Sequence, residues 1–215
     1  MLSDIRTNPR KYLFEPGHEF AEQLLVYQYL PQNANVLEFG GRSGEVSRAI
    51  QLVVNDTNKH IVIEPDHNYA SKLKEMGFNT FSGVVALNET FYDGYVTDHG
   101  CEGRKKKFDV DKCISIPTIT FDELQIQYDI VIDTLIIDCE GAFVQILKDF
   151  PNILDNINCL IIEYDMPPDI CANLINLFKS KGFHSVATIK GWALKDGLLG
   201  NINTHDNIGH EVWKK

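Results

Sequence analysis

The sequence predicts an α/β fold of three layers, in which a mostly parallel seven-stranded sheet with an antiparallel pair at one edge lies between helices. Three observations predict it. Short, near-continuous apolar runs alternate with segments of helical spacing, the pattern of parallel strands buried on both faces. A glycine-rich turn, Gly40-Gly41-Arg42-Ser43-Gly44, joins the first strand to the helix after it. The last two β-like runs are linked by a polar loop rather than a helix, which favours antiparallel pairing at an edge.

The elements follow in order. Residues 1–17 form a polar leader with Pro9, Pro16 and Gly17, read as a loop or short turn. Within 10–30, Phe20, Leu24, Leu25, Tyr27 and Leu30 recur at helical spacing, and Pro31 stops the helix. A strand at 35–39 leads to a helix at 44–54, and a strand at 60–64 to a helix at 67–76 that ends at Gly77. A strand at 78–82 follows. The less regular stretch 88–117 fits a hairpin with a long connection. Thr120, with Glu123 three residues on, signs a short capped helix. A strand at 134–138, a helix at about 141–149 and a strand at 159–163 come next. Pro167-Pro168 open a helix that runs to Lys181 and stops at Gly182. The β-like runs 184–189 and about 209–213 complete the chain.

With 215 residues and 44% hydrophobic content, the chain is expected to form one domain over 1–215, with 1–30 as a helical leader. No apolar run approaches the ~20 residues that cross a bilayer, so no membrane span is expected. The N-terminus lacks the apolar core of a signal peptide. The five cysteines are odd in number and form no close pair, which reads as reduced thiols and a cytoplasmic location. A net charge of −10 repels phosphate backbones and argues against a nucleic-acid partner. The basic run Arg104–Lys107 is local, and its likeliest charged contact is a substrate phosphate.

Four strands end in acids: Glu38, Glu64, Asp138 and Glu163. Ligands of open parallel sheets bind beyond the carboxyl ends of the strands. Four acids at one sheet edge repel one another unless they face cations, hydroxyls or amines. Glu38, the glycine turn and Glu64 suit a nucleoside with a charged tail, either S-adenosylmethionine or a dinucleotide. Arg42 occupies the second glycine position of the dinucleotide fingerprint, so that pattern is not met. The turn matches E-x-G-x-x-x-G from Glu38 to Gly44, the first motif of Rossmann-like S-adenosylmethionine-dependent methyltransferases. Gly40 would let the backbone approach the ligand, Gly44 would start the helix beside it, Gly41 is placed with them in the cofactor site, and Glu64, followed by Pro65, would accept both ribose hydroxyls. Val84 and Val85 would flank the adenine.

Downstream, Thr120-Phe121-Asp122-Glu123-Leu124 precedes Asp133-Thr134-Leu135-Ile136-Ile137-Asp138-Cys139-Glu140-Gly141-Ala142-Phe143. This resembles the FkbM family of methyltransferases, in which a T-x-D-x-L segment precedes a strand of the form D-x-x-K-x-D-x-E-G. Asp133, Asp138, Glu140 and Gly141 stand in the matching places; Ile136 replaces the frequent Lys and Phe143 a frequent Glu. The resemblance covers about 35–165. It implies methylation of hydroxyl groups, often on sugars or sugar-bearing products, with a small-molecule or glycan acceptor.

A sugar hydroxyl needs a general base, or a divalent cation that lowers its pKa. Asp138 is the first candidate for base or metal ligand, with Glu140 and Glu163 the next carboxylates in reach. Asp138 is also placed in the cofactor site. Asp138 with Glu163 and Asp165 could hold Mg2+ through oxygen ligands. Glu140 could instead cap the next helix or bind the cofactor's amino group. Among the histidines, His205 beside Asp206 is a further catalytic candidate, because a neighbouring carboxylate raises imidazole basicity. An NAD-dependent sugar oxidoreductase and a non-catalytic cofactor-binding module are the alternatives.

Overall fold

The computed structural model describes residues 2–14, 19–98, 108–109, 111–190, 194–195, 198–199 and 209–215. The chain begins with α1 (Leu2–Thr7), a 3-10 turn (Pro9–Tyr12) and α2 (Phe20–Tyr29). The expected leader loop is therefore partly helical. Ile5 is fully buried, and Asp4 accepts hydrogen bonds from Asn8, Lys11 and Tyr12. Gln23 of α2 grips both the N–H and the C=O of Phe14, and Tyr27 donates to the Tyr12 carbonyl. These bonds hold the leader against α2.

Two strand-helix repeats and a third strand follow as expected: β1 (Val36–Phe39), α3 (Glu45–Val53), β2 (His60–Glu64), α4 (His67–Glu75) and β3 (Asn79–Ser82). The irregular stretch builds two small two-stranded sheets. In one, β4 (Val84–Val85) pairs in parallel with β7 (Thr118–Ile119); in the other, β5 (Thr90–Tyr92) pairs antiparallel with β6 (Ile114–Ile116). Helix α5 (Phe121–Gln127) starts at Thr120 with both halves of the capping box formed. Then come β8 (Thr134–Ile137), α6 (Phe143–Asp149), β9 (Cys159–Glu163), α7 (Pro168–Ser180) and β10 (His184–Lys190). A short pair, β11 (Leu194–Lys195) and β12 (Leu198–Leu199), precedes β13 (Gly209–Lys214).

The main sheet has seven strands in the order β10-β13-β9-β8-β1-β2-β3. Five run parallel, and β13 is antiparallel to both β9 and β10. From β1 the chain winds outward through β2 and β3, then returns to β8 on the other side. The strand order thus reverses between β1 and β8, and the crevice at their carboxyl ends is where such sheets bind ligands.

Alternate residues feed the two faces of the sheet. Leu37, Phe39, Leu135, Ile137, Leu160 and Ile162 join Leu124, Phe143, Leu174 and Phe178 of α5, α6 and α7 in the larger core. Val36, Ile136, Ile161 and Val212 pack against Leu25, Val26, Ala49 and Ile50 of α2 and α3. No helix among the described residues is long and apolar enough to cross a membrane.

Candidate functional site

The glycine turn after β1 is shaped by packing. Gly40 has φ of 92°, and a Cβ there would stand 1.8 Å from the Asp138 carbonyl oxygen. A Cβ on Gly41 would meet Val62 Cγ1 at 2.3 Å, and one on Gly44 would meet Leu73 Cδ2 at 3.0 Å. The turn is drawn tight so that α3 and α4 seat on the sheet and β8 passes beside β1. Arg42, between the glycines, adopts φ of 42°, a left-handed conformation that costs an ordinary residue about 1–2 kcal/mol.

Beyond the turn opens a cleft whose empty space, counted out into the open solvent at its mouth, is about 1130 Å³. One side carries Gly40, Arg42, Glu64, Pro65 and Tyr69; the opposite side carries Val84, Val85, Thr90 and the 92–97 segment with Tyr92 and Tyr95. Asp138, Cys139, Glu140 and Ala142 close the end beside β8. Glu64 is only 5% exposed. Its Oε2 accepts from the Arg42 N–H at 2.7 Å and its Oε1 from the Asp66 N–H at 2.8 Å. Burial pushes the Glu64 carboxyl up, and these N–H bonds oppose that shift. Each oxygen retains a lone pair for a ligand hydroxyl. Tyr95 donates to Glu140 Oε1 at 3.3 Å across the mouth. Glu140 has φ of 56° and Gly141 of 87°, a left-handed turn that leads into α6. Apolar and aromatic walls round a buried acid give the cleft the character of a small-molecule pocket.

At the Asp138 end the cleft adjoins a group of carboxylates. Ligand atoms of Asp138, Glu163 and Asp165 lie within 4.8 Å of one another, as do those of Glu19, Glu22 and Asp138, and those of Glu22, Glu163 and His210. Burial, then the Glu163 carboxylate and its hydrogen bond, holds the Asp138 carboxyl well above its ordinary range. Glu22 is raised likewise by burial and by Asp138 and Glu163. Burial lowers His210 to about 4, against the pull of Asp138, Glu19 and Asp165. Glu19, which precedes α2, has φ of 56°.

Residues 34–185 match the family described as the Methyltransferase FkbM domain. The chain belongs to the FkbM methyltransferase family. Its family and fold are those of S-adenosylmethionine-dependent methyltransferases. No curated protein matches this FkbM sequence. Among solved structures it is similar to an rRNA methylase from Streptococcus thermophilus, with TM-score 0.50, 11% identity, and 91% of this chain and 95% of that chain covered. It is also similar to a protein of the NADB-Rossmann superfamily from Streptococcus agalactiae, with TM-score 0.50, 14% identity, and 90% and 67% of the two chains covered. A precorrin-6y C5,15-methyltransferase from Geobacter metallireducens GS-15 aligns with TM-score 0.48, 11% identity, and 90% and 86% coverage. At such identities the likeness is one of fold, and it agrees with the Rossmann-like sheet expected of the FkbM chain.

The FkbM fold gathers part of the residue set that the sequence singles out. Gly40, Glu64, Pro65, Val84, Val85, Asp138 and Glu140 all line the cleft. Asp138, Glu163 and Asp165 come together as expected. Glu38, Gly41 and Gly44 are not among the cleft's lining residues. Glu38 lies on the opposite strand face from its neighbours Leu37 and Phe39, at 1% exposure. Its Oε2 accepts from Ser47 Oγ at 2.7 Å and lies 2.9 Å from His60 Nε2. Strand alternation turns that side chain under α3, so Glu38 supports the turn from beneath. Gly44 caps the start of α3, as expected, and the bare Cα atoms of Gly41 and Gly44 let Val62 and Leu73 pack close. Helix α6 is preceded by Ala142, which makes no side-chain cap hydrogen bond, and Glu140 lines the cleft. His205 lies outside the described residues.

Sequence reasoning missed Arg42, Tyr69, Tyr92 and Tyr95 of the cleft and Glu19, Glu22 and His210 of the carboxylate group. A usable signal existed for Glu22. It is a charged residue on a helix whose every position from Phe20 to Tyr27 is buried.

Proposed function

We propose that this FkbM methyltransferase is an O-methyltransferase that methylates a hydroxyl of a sugar, glycan or similar small acceptor, acting as one cytoplasmic domain. The observation that carries this reading is the position of Asp138. It belongs at once to the nucleoside-shaped cleft and to a carboxylate group of raised proton affinity. Cys159 and Cys171 are free thiols, which supports the cytoplasmic location. The net charge of −10 supports a small acceptor over a nucleic acid.

The residues present fit S-adenosylmethionine. Glu64 offers two fixed oxygens to ribose hydroxyls, Val84 and Val85 offer an apolar wall to adenine, and Gly40 leaves the cleft floor bare. Bound there, the cofactor supplies a methyl group whose bond to sulfur breaks, with its electron pair left on sulfur, as the acceptor oxygen bonds the methyl carbon. The chain's task is to hold the acceptor in line and to take its proton. Asp138 suits proton acceptance because burial and Glu163 raise its proton affinity toward that of the reacting group. Glu163 shares the proton as a partner carboxylate, and Glu140 orients whatever enters past Tyr95.

Calorimetric titration with S-adenosylmethionine, S-adenosylhomocysteine and NAD tests the cofactor, and transfer of labelled methyl to a panel of sugars, glycans and RNA tests the acceptor. Glu64→Ala is expected to weaken S-adenosylhomocysteine binding about 10- to 100-fold, the loss of hydrogen bonds worth about 1.5–3 kcal/mol. Asp138→Asn is expected to lower turnover about 10²- to 10⁴-fold. Binding of NAD in place of both adenosyl compounds would overturn the cofactor reading, and labelling of RNA alone would overturn the acceptor class.

A further inference from the structure

We propose that Glu22, Glu163 and His210 form a binding site for a divalent transition-metal cation, of the Mn2+ or Zn2+ type, beside the acceptor end of the cleft. The three side chains come from three separate elements: α2, the end of β9 and the start of β13. Their donor atoms lie within 4.8 Å of one another, and two further groupings, through Asp138, Glu19 and Asp165, overlap them.

One spacing within the trio is near that of two ligands round an ion. His210 Nε2 stands 3.5 Å from Glu163 Oε1. A charge-assisted hydrogen bond between such groups closes to about 2.7–2.9 Å. Two donors bonded at about 2.1 Å to one cation lie about 3.0–3.4 Å apart, depending on whether the geometry is octahedral or tetrahedral.

Burial adds an independent observation. His210 is 4% exposed, and its Nδ1 has no hydrogen-bond partner among the described residues. Glu22 is 1% exposed on a helix face otherwise given to the core. Buried ionised carboxylates round an imidazole need either shared protons, as in the hydrogen bond between Asp138 and Glu163, or a cation that takes the protons' place.

The donor chemistry selects the occupant. An ammonium group of a ligand would be satisfied by carboxylates alone, whereas an imidazole nitrogen placed among them adds a directional lone pair. One nitrogen with several oxygens favours Mn2+ or Zn2+ over Mg2+ and Ca2+, which take oxygen donors. This set differs from the all-oxygen trio Asp138, Glu163 and Asp165 that the sequence suggests. Three protein donors leave coordination positions open toward Asp138, so the cation would lower the pKa of an acceptor hydroxyl there. That consequence rests on the methyltransferase reading; the binding site itself does not.

The experiment is a titration of EDTA-treated, dialysed protein with Mn2+ without cofactor, followed by the electron paramagnetic resonance of free Mn2+ and by calorimetry. One saturable site per chain is expected. Its affinity should fall at least tenfold in Glu22→Gln, Glu163→Gln and His210→Gln, and Mn2+ should raise the melting temperature of the wild type but not of these variants. Each variant is checked for folding by S-adenosylhomocysteine binding, expected within twofold of wild type. Asp165→Asn, at the rim, serves if a buried variant does not fold, and its affinity should fall about threefold or more. Absence of a saturable site for both Mn2+ and Zn2+, or binding undiminished by the substitutions, overturns the proposal. Failure of the wild type to bind either adenosyl compound would instead strike the cofactor reading, with the Mn2+ titration unaffected.

Discussion

A Cβ at Gly40 would press to 1.8 Å from the backbone oxygen of Asp138, at φ of 92°. Backbone cannot yield as a flexible side chain can, so Gly40→Ala combines a steric overlap with left-handed strain of about 1–3 kcal/mol. Urea unfolding should show a loss of at least about 2 kcal/mol, with cofactor binding lost too because the turn and the Asp138 carbonyl must part. A few residues away, Glu22 and Asp138 bind protons more tightly in the folded chain than in the unfolded one. Their contribution to stability is whole below the ordinary carboxyl values of 4.5 and 3.8 and drains away as the pH rises through the folded values. His210 runs the other way. Its folded value near 4 lies below the ordinary 6.5, so its contribution is full above 6.5 and is lost as the pH falls toward 4. In EDTA, Glu22→Gln should therefore melt higher than wild type at pH 8 and lose that advantage by about pH 4. Scanning calorimetry would register about 2–4 °C for each kcal/mol of repulsion removed. An advantage that stayed constant with pH would mean that Glu22 is ordinary in its proton affinity.

Helix α5 has only seven residues and depends on its start: Thr120 Oγ1 accepts from the Glu123 N–H at 3.2 Å, while Glu123 Oε2 accepts from the Thr120 N–H at 3.0 Å. Thr120→Ala should cost about 1 kcal/mol in urea unfolding and leave S-adenosylhomocysteine affinity unchanged, since α5 lies under the sheet and away from the cleft. That box could be read from the sequence because capping is local, and the strands could be read because apolar runs such as Leu135-Ile136-Ile137 have no other stable home. Gly40, Glu64 and Asp138 were legible as cleft residues because strand ends and turns sit where parallel sheets bind ligands. Glu38 misled, since a strand-tip acid reads the same whichever face it points to, and only the register of Val36 and Glu38 on the α3 side settles it. Glu22 and His210 were hidden for a different reason. Their meeting with Glu163 depends on α2 packing across β9 and β13, a contact over about 140 residues of chain or more that no local pattern encodes. Tyr92 and Tyr95 of the cleft come from the 88–117 stretch, where irregular backbone leaves no period to read.

The whole molecule divides at the switch point between β1 and β8, and the cleft draws walls from both sides of it. Arg42, Glu64 and Tyr69 come from the β1-to-α4 side; Asp138, Glu140 and Ala142 come from the β8 side; the 84–97 segment is tied to 114–119 through the two small sheets. Ala86 N donates to the Ile119 carbonyl and Val84 N to the Pro117 carbonyl at 3.0 Å, and Val85 packs into the core with Phe39 and Ile63. A ligand seated there touches the ends of β1 and β8 and the 84–97 segment at once, so binding should stabilise the whole fold and not one loop. At a concentration of S-adenosylhomocysteine 100 times its dissociation constant, mass action contributes about 2.7 kcal/mol. For a chain of 215 residues that corresponds to a melting temperature higher by about 5–11 °C. Hydrogen exchange should slow together at β1, at β8 and in the 84–97 segment, because one occupant contacts all three. In Glu64→Ala both effects should shrink in step at the same ligand concentration. A rise in melting temperature with protection confined to the 84–97 segment would mean that the ligand orders a lid without joining the two halves of the sheet, and the cleft would then have been assigned the wrong walls.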